Sequence, residues 1–298
     1  MDKIFVKIIK YTLLFLLIFI KNSYAQSLET ILKNSESELI SYVYSNQEKF
    51  EVQIILTELK KRGKSFTIHK KKFNSDKNNY FYPASSIKLP IALLTIEKIN
   101  ESSDLNINSE FSIQGDSIIT TFKKEITDLF IISSNESYNR LFEFLGQDYI
   151  NEKLKQKGFK DFSISHRLST KDSDNLETKE ITFYSNGEIL KIQKSIKNKP
   201  VSKLNLKNLN KGIGFISNNK LQNKPMDFSR KNYFSINELN NILICLFFPE
   251  ISKNKKFYLS KSQNLLIQKL MSSTPFEMGF DKNMYPNNYN KFFIYGDK

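Results

Sequence analysis

At 298 residues, 40% hydrophobic and 26% charged, the chain holds enough apolar material for one large domain or two small ones, in a balance that excludes a disordered polymer. The formal net charge of +14 suggests nucleic acid, but the lysines are scattered among Asn and Ile, so a solvated basic surface is expected and nucleic acid is not a partner. The single cysteine, Cys245, excludes an intramolecular disulfide, and its apolar setting (NILICLFFP) reads as core.

At the N-terminus Lys3, Lys7 and Lys10 precede an uncharged apolar block, Tyr11 to Ile20, and Ser23-Tyr24-Ala25 supplies small residues where a signal peptidase cuts. The block is shorter than the roughly 20 residues a spanning helix needs. Residues 1–25 are therefore expected to be a cleaved secretory signal and the chain's membrane contact, with the mature protein in the periplasm. Its loss removes four Lys and one Asp and leaves +11, a charge that attracts anionic envelope polymers or carboxylate substrates.

Leu28, Ile31, Leu32, Leu39 and Val43 recur at helical spacing, which predicts an amphipathic helix over 27–50. EVQIILTEL (51–59) and SFTIHKKKF (65–73) predict a hairpin with Gly63 in its turn and the run Lys70-Lys71-Lys72 on its second strand. A two-stranded hairpin is marginal without further strands or helices. Leu89 to Ile99 reads as a buried helix, with Pro90 in its first turn, where a missing N–H costs little. Over 120–158 helices are expected, broken at SSNES and capped by Gly146 and Gly158. EITFYSNGEILKIQ predicts a second hairpin turning at Asn186-Gly187. Ser235-Ile236-Asn237-Glu238 matches a capping box before a helix that Pro249 stops, and SKSQNLLIQKLMSS reads as another amphipathic helix. His69 and His166 lack metal-ligand spacing, and neither a metal nor a cofactor is expected.

Chemistry concentrates in YPASSIKLP, 82–90. Ser85 and Lys88 are one helical turn apart and share a face, whereas Ser86 points elsewhere. A serine hydroxyl needs a base before it attacks, and a desolvated lysine can be that base. The alternative is a capping serine and a lysine that snorkels to water. Forty-eight residues after Ser85 comes Ser133-Ser134-Asn135, in a break between helices. Its serine can relay a proton and its amide can orient lysine and substrate. Alone, Ser133 with Glu136 reads better as a capping box than as chemistry. The two stretches together, in this order, favour catalysis.

With these motifs, and with ISHRL, PMDFSRKNY and KFFIYGDK, the sequence resembles the penicillin-recognising serine hydrolases, in particular the class A β-lactamase-like family and its Bacteroidetes-type envelope members. The resemblance implies an α/β (α+β) fold with an antiparallel sheet packed on helices. Its α/β part would span 26–82 and about 231–298, around a mostly α-helical insert at about 83–230. It implies Ser85 as nucleophile, Lys88 as general base, Ser133 as proton relay and Asn135 as the group that positions Lys88 and the substrate amide.

Three departures qualify that carry-over. Ser134 stands where the family has Asp. No Glu-x-x-Leu-Asn follows; HRLSTKDSDNLE offers Asp172, Asp174 and Glu177 without the pattern, so slow deacylation or transfer to another acceptor is expected. No Lys-Thr-Gly occurs, and the chain ends on apolar residues after which the family continues with strands. A C-terminally truncated, weakly active chain is therefore expected, lacking an oxyanion donor of the kind whose loss costs roughly 3–4 kcal/mol. The expected function is serine acyl-hydrolysis of β-lactams, acylated peptides or peptidoglycan fragments. The alternatives are a D-alanyl-D-alanine peptidase or esterase, or a non-catalytic envelope binder of the same fold.

Overall fold

The computed structural model describes residues 26–63, 65–217, 219–252 and 256–291. The apolar block and signal reading at 1–25, and the residues after Lys291, lie outside them. The chain divides into two compact units, Met1–Asp76 and Lys77–Lys298.

The first unit carries two short helices, α1 (Leu28–Lys33) and α2 (Glu38–Ser45). The continuous helix expected over 27–50 is thus corrected. Asn34 caps the end of α1, Ser37 Oγ accepts from Ile40 N at 3.5 Å to open α2, and Ser41 Oγ donates to Ser35 O at 3.0 Å. The stretch 34–37 holds Asn and Ser side chains that compete with the helical ladder, so the chain caps and restarts although the apolar spacing runs on. The hairpin follows as expected: β1 (Ile54–Arg62) pairs antiparallel with β2 (Ser65–Phe73), from Ile54 opposite Phe73 to Arg62 opposite Ser65, with Gly63 at φ +60°. Among the described residues of this unit, Leu28 and Phe73 are the buried apolar side chains.

The second unit opens with a 3-10 turn, Ala84–Ile87, that runs directly into α3 (Lys88–Asn100). Every residue of α3 from Lys88 to Glu97 is buried, as is Ile99. A helix apolar on nearly all sides belongs at the centre of a core, and α3 takes that place. Next come β3 (Glu110–Ile113), β4 (Thr120–Thr121), α4 (Phe122–Ile131), α5 (Asn135–Leu145), α6 (Gln147–Gln156), β5 (Phe162–Ser163), β6 (Ile181–Ser185) and β7 (Glu188–Gln193). Strands β4-β3-β6-β7 form an antiparallel sheet in that order. β5 pairs with Tyr233–Phe234, and two further short antiparallel pairs lie between 210 and 227. The helices α7 (Ile236–Phe247) and α8 (Lys261–Ser272) follow.

Phe111, Phe122, Phe144 and Phe183 join the sheet to the helices: Phe122 lies 4.6 Å from Phe111 and 4.7 Å from Phe144 between ring centroids. At the far end of α3, buried Glu97 pairs with Lys157 at 2.7 Å and accepts from Tyr258 N at 2.9 Å, which anchors the helix. Gly146 and Gly158 end α5 and α6, each at φ +79°, and Asn186 (φ +53°) with Gly187 (φ +81°) makes the tight β6–β7 turn. Cys245 is buried. The box at Ser235 is half formed. Ser235 Oγ accepts from Glu238 N, but the Glu238 carboxylate takes Lys160 N and Asn241 Nδ2. A reciprocal box sits instead at Ser260 and Gln263, where α8 begins.

Candidate active site

Ser85 occupies the 3-10 turn just before α3, with its side chain exposed, while Lys88 opens α3 and is 2% exposed. The turn is sharp: Ala84 sits at φ +42°, and Ser86 Oγ donates to Pro83 O, which commits that second serine to the backbone. Ser85 therefore faces solvent while the residue one turn later points into the protein.

The loop between α4 and α5 closes on this pair. Ser133 Oγ donates to Ser85 Oγ at 2.8 Å. Lys88 Nζ donates to Ser133 Oγ at 2.9 Å, to Asn135 Oδ1 at 2.8 Å and to Ser133 O at 2.5 Å. Lysine and Ser85 thus communicate through Ser133. Three acceptors around Nζ match the three N–H bonds of an ammonium. Burial nevertheless pushes Lys88 from 10.5 down to about 8, against the attraction of the Glu136 carboxylate. About a tenth of the molecules then hold a neutral amine at pH 7. In that form the amine has a lone pair for the Ser133 proton, and Ser133 can accept that of Ser85.

The capping reading of this loop falls to its neighbour. Ser134, not Ser133, is the N-cap of α5, accepting from Ser137 N at 3.0 Å, and its hydroxyl donates to Glu136. Either Asp or Ser can cap a helix, so Ser134 in place of Asp preserves this local role. Ser133 is left free of capping, at φ +52°, in a conformation few non-glycine residues adopt.

Ser85 lies where two cavities meet, each of about 680 Å³. One is mostly apolar, walled by Leu129, Phe130, Leu239, Leu243 and Met271. The other is polar, walled by Asn135, His166, Ser169, Thr170, Lys231 and others. Among the described residues no Asp or Glu lines either cavity. Asp172 instead accepts from Thr170 Oγ1, Asp174 lies 3.5 Å from Lys231, and Glu177 accepts from Ser195 Oγ. None of the three lines either cavity. Among the described residues no cluster of His, Cys, Asp and Glu could hold a metal ion.

Two wall residues carry no role in the sequence reading. Asn135 Nδ2 donates to Ser169 Oγ at 3.0 Å, which fixes the amide with its oxygen toward Lys88. His166 Nδ1 lies 2.5 Å from Arg167 O. Burial, aided by Lys231, holds its imidazole below the ordinary 6.5, against the Arg167 hydrogen bond and Asp174.

An exposed hydroxyl wired through a second hydroxyl to a buried amine, on a helix at the centre of an α+β unit, has the chemistry of a serine hydrolase that uses lysine. Residues 35–284 match the model of the beta-lactamase enzyme family, and the chain belongs to that family. It is a serine hydrolase of the β-lactamase type. No curated protein and no solved structure is similar enough to match.

Proposed function

We propose that the protein is a periplasmic serine acyl-hydrolase of the class A, Bacteroidetes-type envelope group, exported by residues 1–25, that opens β-lactams or related acylated peptides through a Ser85 acyl-enzyme. The proposal includes the insertion of the stretch of about 83–230, which carries α3–α6 and strands β3–β7, between 26–82 and about 231–298. The observation that carries it is the relay from Ser85 through Ser133 to buried Lys88. Neutral Lys88 takes the Ser133 proton as Ser133 takes that of Ser85. Ser85 Oγ attacks the acyl carbon, and the same path returns the proton to the leaving group. Asn135 holds the amine in line.

Intact-mass spectrometry with benzylpenicillin tests this reading. The expected result is a covalent adduct that Ser85→Ala abolishes. Rapid clearance marks a β-lactamase, a persistent adduct marks a peptidase- or esterase-like site, and the absence of any adduct would leave a binder of the same fold.

A further inference from the structure

We propose that His166 is the general base of deacylation, taking the proton of the water that clears the acyl group from Ser85. The inference rests on the Ser85 reading and names the group that completes its cycle.

Hydrolysis of a serine ester needs a proton acceptor near the attacking water. Neither Asp172, Asp174, Glu177 nor any other Asp or Glu among the described residues lines either cavity at Ser85. Lys88 Nζ is directed at Ser133 and Asn135 and serves the Ser85 oxygen. His166 lies on the wall of the polar cavity that Ser85 and Asn135 also line. A carbonyl oxygen can only accept, so the close approach of Nδ1 to Arg167 O places the ring proton on Nδ1. The lone pair of the neutral ring is then on Nε2, which meets no partner among the described residues.

The residue is also held rigidly. His166 N donates to Asn232 Oδ1 at 3.1 Å, and His166 O accepts from Asn232 Nδ2 at 3.0 Å and from Tyr138 OH at 3.3 Å. A polar clamp of this kind on a cavity wall serves a side chain whose position matters. The charged groups facing the ring are Lys231 and Asp174, and its neighbour Arg167 is tied to Glu143. Burial and Lys231 favour the neutral ring, so the base form is present at neutral pH.

In the step itself, water oxygen bonds to the acyl carbon while Nε2 takes one of its protons. Acylation leaves Lys88 neutral, and it takes up a proton from solvent before this step. The C–Oγ bond then breaks, its electron pair returns to Ser85 Oγ, and Ser133 protonates that oxygen out of the re-formed Lys88 ammonium. Nε2 and the carboxylic acid product each release a proton to solvent, leaving a carboxylate, free Ser85 and neutral Lys88.

The test follows benzylpenicillin adducts by intact mass in the full chain, its His166→Gln and its His166→Asn variants, from pH 5 to 8. The expected result is adduct formation at the wild-type rate with clearance slowed at least about 10²-fold. The wild-type clearance rate should rise with pH through a midpoint below 6.5, a limb both variants lose. Clearance at the wild-type rate in either variant overturns the proposal, as does a wild-type adduct that never clears. If neither variant acylates, His166 acts before deacylation and the assignment is equally wrong. An absent wild-type adduct removes the Ser85 reading itself, an outcome distinct from all the others.

Discussion

Ser133 holds a backbone conformation that costs a non-glycine residue of order 1–3 kcal/mol, and the same geometry brings its hydroxyl to Ser85 and its carbonyl to Lys88. Strain kept at the residue that links nucleophile and amine fits a site shaped for reactivity. The amine sets the pH dependence. Only its neutral form accepts a proton, so the acylation rate should rise with pH and level off above about 8, which rapid-mixing mass spectrometry reads directly. Stability carries the same sign. The unfolded lysine keeps its proton up to 10.5 and the folded one loses it near 8, so between those values unfolding takes up a proton and stability rises with pH, by about 3 kcal/mol. Lys98 is also lowered to about 8 by burial; the Lys88 share is therefore the difference between wild type and Lys88→Met in urea titrations across that window. Ser169 acts on the amine through Asn135. Ser169→Ala frees the Asn135 amide to turn, the ammonium loses an acceptor, and the charged form weakens. Acylation should fall about 3–10-fold, from loss of one neutral hydrogen bond, and its pH midpoint should move below that of wild type. A loss of rate with an unmoved midpoint would reduce Ser169 to a structural role.

The loop that carries His166 and Ser169 is fastened by one buried ion pair. Arg167 meets Glu143 of α5 through Nε (2.5 Å) and Nη2 (2.9 Å), and also donates to Asn175 O and Glu177 O, while Lys179 N donates to Glu143. Arg167→Ala strands the Glu143 carboxylate and should cost about 3–5 kcal/mol in urea unfolding. Arg167→Lys should recover little, because a single ammonium cannot reproduce the planar fork. At the β6–β7 turn Gly187→Ala has room for its Cβ but not the right backbone angle, and should cost about 1 kcal/mol in the same assay. Elements of this kind differ in how plainly they are written. The buried helix α3, both hairpins and the Asn186-Gly187 turn depend on periodicity and local turn chemistry, and both can be read along the chain. The break between α1 and α2 ran against the apolar period, since caps at Asn34 and Ser37 outweighed it. β3 hides because four residues, EFSI, are too short a run to show alternation. Ser85 and Lys88 were legible as candidates because they stand one helical turn apart, and Ser133 and Asn135 because their short stretch, in that order after the first, resembles a family motif. Ser169 and His166 were not: their partners Asn135 and Asn232 lie 34 and 66 residues away, brought close by loop closure alone.

Across the whole molecule apolar burial is uneven. Among the described residues of Lys77–Lys298 most buried apolar side chains form one continuous cluster that includes α3, from Ile87 to Leu270. In Met1–Asp76 the described residues bury Leu28 and Phe73, and the long β1–β2 ribbon leaves Leu56 and Ile68 exposed. Backbone pairing alone is a weak source of stability, because each inter-strand bond replaces one to water and a two-stranded ribbon gains little else. The free energy of opening a segment grows with the apolar surface that opening brings into water, so the two regions should open by separate routes. In native-state hydrogen exchange the α3 amides should exchange only by global unfolding, with protection that falls as urea is added. The β1 and β2 amides should exchange at least about 10²-fold faster and with little dependence on urea, the mark of local opening that exposes little surface. Equal protection and equal urea dependence in the two regions would mean that the ribbon unfolds only with the α3 core, and that packing beyond its own side chains stabilises it.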